Sequence, residues 1–458
     1  MEEEEPEKVD IMILGASGFT GKYVIREALK FINSSPSSFS PSSSSSPPLK
    51  LGLAGRSKPK ILSALKWASS PSPPPGIPIF EADVSNPLSL SSLCKQTRLL
   101  LNCVGPFRLY GEPVVSECIR AGIDYLDITG EPEFMEKIEA LYHEKAVQSN
   151  SLVISACGFD SVPAELGFVF NSRQWEPPSI LNSIDAYLVL ESDKRIVGNV
   201  GTLESAILGL SSFDELQRLR RSRPKRPRPQ IPGPPTSKGE LIQHQKSVGL
   251  WAVKLPSADA IVVRRTLTSL TENPNGLSGV NETPDHISKR EKFWSQIKPA
   301  HFGVKIGYKS PLGIIRLIVV GIIMGILTRC AFGRSLLSKY PEIFTLGWFR
   351  KSGPTEEEVR SASFKMWFVG RGYSDESQLK RGKMDKEVIT RVSGPEIGYI
   401  TTPIILVQCA LVLLKERGNL PRGGVYTPGI VFGPTDLQKH LQENGLSFEL
   451  ISKNAQPT

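Results

Sequence analysis

Short apolar runs alternate with amphipathic stretches through the first third of the chain. The apolar runs begin near residues 9, 49, 79, 99, 123 and 152, and each has the length of a buried strand. Helical periodicity separates them, over residues 22–31, 60–68, 88–95, 112–121 and 133–149. Strands that alternate with helices predict an α/β fold with a doubly wound parallel sheet, here over residues 9–165.

The pattern changes in the rest of the chain. Longer strand candidates cover residues 183–190, 261–267 and 363–370, and helical candidates cover residues 202–219 and 403–416. Residues 166–458 are therefore predicted to form a second, mixed α/β substrate domain with a more antiparallel sheet.

Two polar stretches interrupt this organisation. Fourteen of the sixteen residues 33–48 are Ser or Pro, a composition that buries too little apolar area to offset its ordering entropy, so we expect a disordered surface insertion. Residues 218–247 are basic and broken by prolines. They are predicted to form a solvated loop, with contact to an anionic surface as the alternative.

Residues 311–349 form an apolar segment with Arg and Lys at its flanks. Its longest apolar run, residues 317–328, would reach about 18 Å as a helix, whereas a hydrocarbon core is about 30 Å thick. The run cannot cross a bilayer alone. The basic flanks favour an interfacial or re-entrant membrane segment, and a buried core helix is the alternative.

Charge and cysteine content exclude several classes. The net charge is +9, but seven basic residues lie within residues 218–228, so a nucleic-acid-binding surface is not implied. The six cysteines show no CxxC and no metal-ligand spacing, which indicates reduced thiols and no metal site. The acidic start MEEEEPEK shows no cleavable presequence.

The glycines after the first strand have the spacing GxxGxxG. Between a strand and a helix, such a turn lets a phosphate approach the backbone at the positive end of the helix. The context indicates a Rossmann-type nucleotide site. The predicted cofactor-binding turn comprises Gly15, Ala16, Ser17, Gly18, Phe19, Thr20 and Gly21.

The ends of the second, third and fourth strands complete the predicted cofactor site, and the second favours NADPH over NADH. The second strand ends in Ala-Gly-Arg without an acid for the ribose hydroxyls, and Arg56 can bind a 2′-phosphate with a bidentate contact. Asp83 follows the third strand and is predicted to contact the adenine edge. We expect the residues after the fourth strand to lie along the pyrophosphate and ribose; these are Asn102, Cys103, Val104, Gly105 and Pro106.

The classical short-chain dehydrogenase mechanism is excluded. That mechanism uses Tyr-x-x-x-Lys, in which the lysine prepares the tyrosine as a general acid. None of the ten tyrosines has a lysine four residues later. The remaining class delivers NADPH from a Rossmann domain to a separate substrate domain.

Six separated segments in a fixed order carry a family resemblance. They are GASGFTG at 15–21, LAGR at 53–56, residues 101–131, SACGFDSVPAELG at 155–167, GTLESA at 201–206 and GGVYTPGIVFG at 423–433. Together they resemble the saccharopine dehydrogenase-like oxidoreductases. The resemblance implies a Rossmann domain, an α/β substrate domain and NAD(P)-linked oxidoreduction. It extends to bacterial trans-acting enoyl reductases acting on long-chain lipids, and to animal and plant members similar to membrane- or lipid-droplet-associated proteins.

Candidate catalytic residues lie at strand ends, where ligands of doubly wound folds bind. Asp160 is the preferred proton donor, with a structural or substrate-orienting hydrogen bond as the alternative, and Glu131 is the second candidate. Weaker hydrogen-bond donors are Tyr125, Thr202, Tyr399 and Tyr426.

Three functions remain open. The first is NADPH-dependent hydride transfer to a C=C, C=N or C=O bond of a small hydrophobic, lipid-like substrate at a membrane surface. The second is a catalytically silent nucleotide-binding scaffold or sensor, and the third is a soluble saccharopine dehydrogenase of lysine metabolism. We expect an intracellular protein, peripheral to a mitochondrial membrane or lipid droplet and without a nucleic-acid partner. The sequence does not decide whether the protein forms a homodimer.

Overall fold

The computed structural model describes residues 8–32, 49–70, 76–211, 213–235, 240–254 and 257–455. The predicted disordered insertion, residues 33–48, lies outside these residues. The chain forms two compact units. The first comprises residues 1–158, 279–281 and 398–426, and the second comprises residues 159–278, 282–397 and 427–458.

The strands within the described ranges are β1 (Val9–Leu14), β2 (Leu51–Gly55), β3 (Ile79–Glu81), β4 (Thr97–Asn102), β5 (Asp124–Asp127), β6 (Leu152–Ile154), β7 (Ile180–Ser192), β8 (Gly198–Asn199), β9 (Ile242–Gln245), β10 (Leu250–Lys254), β11 (His301–Tyr308), β12 (Phe349–Arg350), β13 (Ala362–Tyr373), β14 (Lys386–Pro395), β15 (Gly424–Tyr426) and β16 (Ser447–Ala455).

The α-helices in the same ranges are α1 (Phe19–Ile32), α2 (Lys58–Ser69), α3 (Pro87–Lys95), α4 (Phe107–Ala121), α5 (Pro132–Ser149), α6 (Val162–Ser172), α7 (Val200–Ser211), α8 (Phe213–Ser222), α9 (Asp259–Glu272), α10 (Pro284–Ser295), α11 (Pro311–Leu327), α12 (Ala331–Lys339), α13 (Pro341–Phe344), α14 (Glu356–Ser361), α15 (Glu376–Arg381), α16 (Thr402–Glu416), α17 (Pro428–Phe432) and α18 (Leu437–Glu443). A π-helical turn, Ile397–Thr401, precedes α16.

The first unit is a seven-stranded parallel sheet in the order β15-β6-β5-β4-β1-β2-β3. Apolar residues fill the central strands, as in β1, where Ile11 to Leu14 are all buried, because helices cover both faces of such a sheet. The strand order reverses between β1 and β4, which creates the crevice where doubly wound folds bind ligands. The predicted Rossmann-type sheet is confirmed.

The limits of the first unit differ from the predicted domain, residues 9–165. Its main segment ends at residue 158, and residues 398–426 join it although they were predicted to belong to residues 166–458. The cause is long-range pairing: β15 extends the parallel sheet beside β6, with Val425 opposite Val153. β15 is three residues long, which is too short for a strand pattern in the sequence. The sequence therefore did not predict that the chain returns to the first sheet.

The second unit contains a mixed seven-stranded sheet in the order β16-β14-β13-β7-β11-β10-β9. Only the β7–β11 pairing is parallel. The predicted mixed α/β second domain is therefore confirmed as a fold class. A separate two-stranded parallel sheet joins β8 and β12.

Two local predictions in the second unit were wrong. Residues 261–267, predicted as a strand from their β-branched side chains, lie inside α9, whose buried residues Val262, Val263, Thr266 and Leu267 recur with helical spacing. The predicted loop 218–247 begins inside α8 and includes β9, which pairs with β10, so both of its bounds were wrong. Tertiary pairing overrides the local polarity there.

The apolar segment 311–349 contains α11, α12 and α13. One face of α11 is buried: Ile314, Val320 and Met324 are at most 8% exposed. Val320 and Met324 pack with Leu203 and Ile207 of α7. The opposite face is open to solvent.

One helical stretch in the described part of the chain, Ile397–Asn419, is long and apolar enough to cross a membrane by length and composition. Two-thirds of its most apolar window (67%) is buried within the protein, as in a core helix, so this finding alone does not indicate a span. The α11 helix is shorter.

Candidate functional site

The loop between β1 and α1 forms a closed turn. Gly15 has a φ of +85°, and its amide donates to the carbonyl of Ala54 in β2 at 3.0 Å. The amide of Gly18 donates to the carbonyl of Gly15 at 2.9 Å. The turn places the amino end of α1 at the carboxyl edge of the sheet, where its partial positive charge favours phosphate binding.

The three glycines of the turn differ in what an added Cβ atom would contact. A Cβ on Gly21 would lie 2.1 Å from the Gly15 carbonyl oxygen, and one on Gly15 would lie 2.9 Å from Cγ2 of Val104. These two positions require glycine for packing. Gly18 is exposed, and its added Cβ would meet only the Gly15 oxygen, at 3.1 Å. A side chain at Gly18 would therefore occupy the open space outside the turn. We call this space the cradle, and it is where a phosphate group would approach the start of α1.

Arg56 and Asp83 lie at the ends of neighbouring strands. Arg56 directly follows β2, its side chain is exposed, and it makes no hydrogen bond to another described residue. One oxygen of Asp83 accepts from the hydroxyl and the amide of Ser85, at 2.7 and 2.9 Å. These bonds, with a smaller contribution from the charge of Arg56, hold the pKa of Asp83 below its usual value.

The loop after β4 closes the other side of the crevice. The amide of Cys103 donates to the carbonyl of Leu14 at 2.9 Å, so the loop is bound to the end of β1. The Asn102 side chain is buried; it accepts from the Val104 amide at 2.9 Å and donates to the Tyr125 hydroxyl at 3.1 Å. Asn102 therefore shapes this loop. Desolvation raises the pKa of the Cys103 thiol to about 12, which keeps it protonated.

Glu131 fixes the start of α4, the helix that follows this loop. Its two carboxylate oxygens accept from the amides of Phe107 and Arg108, at 2.9 and 3.0 Å, in the first turn of α4. A carboxylate in this position satisfies helix amides that have no partner within the helix. This geometry favours a structural role for Glu131 over the predicted catalytic one.

Asp127, at the end of β5, is a candidate that the sequence reasoning missed. It is fully buried, and its Oδ1 accepts from the amides of Thr129 and Ala156, at 3.0 and 2.8 Å. Its Oδ2 has no hydrogen-bond partner among the described residues. Burial raises the pKa of Asp127 to about 6. Perturbed carboxyl groups of this kind concentrate at functional sites.

The π-helical turn is an element that the sequence pattern did not predict, although its Tyr399 is one of the weaker donor candidates. Tyr399 packs on Phe19 and Tyr23 at the start of α1, with ring centroids 4.8 and 5.5 Å apart. A Cβ on Gly158 would lie 3.2 Å from Cγ2 of Thr402. A segment far along the chain thus reaches both the phosphate turn and the end of β6. Single π-helical turns often occur at functional sites.

Asp160 lies in the second unit, next to another acid. Its side chain is accessible to solvent, yet surrounding protein desolvates the carboxyl group and raises its pKa. Asp259, in the first turn of α9, is buried, and its Oδ1 has no hydrogen-bond partner in the described chain. Burial and the charge of Asp160 raise the pKa of Asp259. Repulsion of this kind favours a state in which one of the two acids keeps its proton.

A third acid, Glu165, adds its charge to this pair. Its carboxylate accepts from the hydroxyl of Thr266, which also contacts the hydroxyl of Thr427. The other oxygen accepts from the Gly429 amide at 2.9 Å. Burial raises the pKa of Glu165 to about 7. The sequence analysis missed Glu165 and Asp259, because nothing local marks them as neighbours of Asp160.

The weaker donor candidates mostly make structural contacts. Tyr125 is buried against Asn102, and Tyr426 packs edge-on against His143 with ring centroids 5.3 Å apart. Thr202 is exposed on α7. Among the described residues, no group of three or more His, Cys, Asp or Glu side chains is placed to hold a metal ion.

The structure brings the predicted cofactor residues to one sheet edge in the first unit, and it places Asp160 in the second unit. A glycine turn at the reversal point of a doubly wound sheet, with an arginine at the next strand end, defines a dinucleotide-binding protein.

The chain is similar to known proteins. Residues 11–154 match the family model for the saccharopine dehydrogenase NADP binding domain. An Arabidopsis thaliana protein named as a mitochondrial saccharopine dehydrogenase-like oxidoreductase is 61% identical, over 98% of both chains. The lipid droplet localized protein of Caenorhabditis elegans is 30% identical, over 97% of this chain and 99% of its own.

A solved structure shares the fold. Saccharopine dehydrogenase (L-Glu forming) from Saccharomyces cerevisiae has a TM-score of 0.53 at 11% identity, over 97% of this chain and 100% of its own. The chain belongs to the saccharopine dehydrogenase-like oxidoreductase family. It is an NAD(P)-dependent oxidoreductase, with NADP as its cofactor.

Proposed function

We propose that this oxidoreductase reduces a C=C, C=N or C=O bond of a hydrophobic, lipid-like substrate at a membrane surface. The observation that carries the proposal is the open face of α11. Five apolar side chains recur on it with spacings of three and four residues: Leu312, Ile315, Val319, Ile322 and Ile326. They are between 43% and 72% exposed.

An apolar stripe of this size is costly in water. Moving a large aliphatic side chain from water into an apolar phase contributes about 1.5–3 kcal/mol when burial is complete. Phe332, Ile343 and Leu346, which follow α11, are also exposed by 44% or more. Because one face of α11 packs on the protein and the other is open, the helix suits a position in the plane of a membrane surface. Its substrate would then come from the lipid phase.

The cofactor is proposed to bind along the carboxyl edge of the first sheet. The turn at Gly18 would receive the pyrophosphate, and Arg56 the 2′-phosphate of NADPH. Asp83 would lie beside the adenosine, and the loop after β4, held by Asn102, would form the opposite wall. Bound NADPH supplies a hydride to the substrate.

Asp160 is the proposed proton donor. Reduction by a hydride requires one proton as well, and a carboxyl group serves best when its pKa approaches the working pH. Desolvation raises the pKa of Asp160, so the group keeps its proton at higher pH than a free aspartate does. Asp160 and Asp259 repel each other when both are ionised, and this repulsion raises the pKa of Asp259.

The proposed location is a membrane or lipid-droplet surface in the cell, including the mitochondrial membrane. The Arabidopsis relative is named as mitochondrial and the Caenorhabditis relative as lipid droplet localized, and the open face of α11 is compatible with either location.

The test combines binding and turnover. Purified protein is incubated with NADPH and either lipid fractions in liposomes or amino-acid pools, and cofactor oxidation is followed by absorbance. We expect oxidation that depends on a lipid fraction. Oxidation with an amino acid instead would support the soluble saccharopine enzyme. NADPH binding without turnover in any pool would support a silent scaffold.

Membrane attachment is tested with two matched double variants. Ile315→Asp with Ile322→Asp places charge on the open face of α11, and Leu62→Asp with Leu88→Asp places equal charge on exposed apolar positions of the first unit. We expect only the first variant to lose liposome flotation while both bind NADPH. Val320 is unsuitable for such a test because it is buried. If the two double variants float with liposomes to the same extent, α11 is not the part of the protein that contacts the membrane.

A further inference from the structure

The segment that follows α7 carries a concentrated positive charge. Residues 218–228 contain seven basic and no acidic residues. Four of the basic side chains are exposed: Arg218, Arg221, Lys225 and Arg228. Such a group of like charges repels itself unless an anion neutralises it.

This basic segment is attached to the protein through Arg226, and the residues that follow it are attached as well. The guanidinium of Arg226 donates to Glu272 in α9 at 2.8 Å, and it also contacts Ser269. Further along, Asn182 in β7 donates to the carbonyls of Pro232 and Pro234, at 2.7 and 3.1 Å. The charges are therefore held on the protein surface, which reduces the ordering entropy that binding would cost.

The same segment is connected to the support of α11. Leu203 and Ile207 of α7 pack beneath α11, together with Leu337 of α12. α8 begins two residues after α7 ends, so the helix that contains the start of the basic segment directly follows, along the chain, the helix that supports α11. The apolar region itself is also basic: residues 311–350 contain five Lys or Arg and one Glu, a net charge of +4. Arg329 and Lys339 in this region are exposed.

We propose that the basic segment, residues 218–228, binds the headgroups of anionic phospholipids while the open face of α11 enters the same membrane. The proposal rests on the membrane attachment proposed above and adds the lipid class. An apolar stripe and fixed cationic side chains on one protein match an anionic bilayer, which offers an acyl phase and negative headgroups together. A nucleic acid would match the charge alone and leave the stripe in water.

The experiment compares two kinds of vesicle. Full-length protein is sedimented with vesicles of phosphatidylcholine alone or of phosphatidylcholine mixed with phosphatidylserine, at low and high salt. We expect at least tenfold stronger partition to the anionic vesicles at low salt, because several basic side chains would each be attracted by the negative membrane surface. High salt should remove most of the difference.

Two charge-matched variants identify the segment. The test variant carries Arg218→Gln, Arg221→Gln, Lys225→Gln and Arg228→Gln. The control carries Lys292→Gln, Lys380→Gln, Arg381→Gln and Lys383→Gln, which remove the same charge from exposed sites elsewhere in the second unit. We expect only the test variant to lose the preference for phosphatidylserine, with NADPH affinity unchanged in both.

Each outcome decides between the two proposals. If wild-type protein binds both vesicles equally, the headgroup assignment is wrong and the membrane proposal stands. If it binds neither vesicle, both fail. Equal losses in the two variants would attribute the preference to net charge and overturn the role of this segment. Salt-sensitive binding to RNA without vesicle binding would replace the lipid by a nucleic acid.

Discussion

Replacement of Arg56 by alanine tests the cofactor assignment most directly. Arg56 directly follows β2 and makes no hydrogen bond to another described residue, so its removal should leave the folding stability nearly unchanged. What should change is the affinity for a 2′-phosphate. NADH lacks that phosphate, so its binding should not respond to the substitution.

The magnitude follows from the exposure of Arg56. A hydrogen bond to a charged group contributes about 1.5–3 kcal/mol, and solvent screening at an exposed site lowers this to about 1–2 kcal/mol. That corresponds to a five- to thirtyfold weaker Kd for NADPH. Arg56→Lys should lose part of this affinity, because an ammonium keeps the charge but not the bidentate contact.

Calorimetric titration of both cofactors measures the effect, with thermal unfolding as the control for folding. The difference between NADPH and NADH should also decrease at high salt, since the contact is exposed. An equal loss of affinity for NADPH and NADH would refute the 2′-phosphate assignment. So would an unchanged affinity for NADPH.

Three further predictions concern glycine and the acids. Gly18→Val should weaken NADPH and NADH at least tenfold with little change in Tm, because the side chain enters the cradle; unchanged titrations would contradict this. Asp160→Asn should lower kcat at least tenfold at unchanged NADPH affinity, and full turnover would remove it from the mechanism. The pKa of Asp127 is raised from its usual 3.8 to about 6. Its contribution to stability should therefore be complete below pH 3.8 and lost as the pH rises through about 6. Asp127→Asn should flatten denaturant-unfolding free energies across this range, and an unchanged pH profile would disprove the shift.

The phosphate turn could be predicted from the sequence because its requirements are local. A buried strand, closely spaced glycines and an amphipathic helix follow one another within residues 9–32, and Gly21 is required by contacts made within that stretch. Arg56 and Asp83 were assigned in the same way, because parallel strands end at a common edge and the residue after each strand is known once the strands are known.

The carboxyl groups required the tertiary structure. Glu131 and Asp127 are four residues apart in the sequence, yet one carboxylate accepts two helix amides while the other keeps an oxygen without a partner in the described chain. Asp259 lies near Asp160 only because α9 packs beside α6. Burial and neighbouring charge set these pKa values, and both depend on residues far apart in the chain.

For the apolar segment, residues 311–349, the sequence likewise determined some properties and the tertiary structure determined others. Composition and length alone determined that residues 317–328 are too apolar for water and too short to span a bilayer as a helix. Which side chains remain exposed was decided by packing: α7 covers Val320 and Met324 and leaves Ile315 and Ile322 open. Sequence periodicity cannot separate these positions, because both faces of α11 are apolar, and only contact with another element removes one face from solvent.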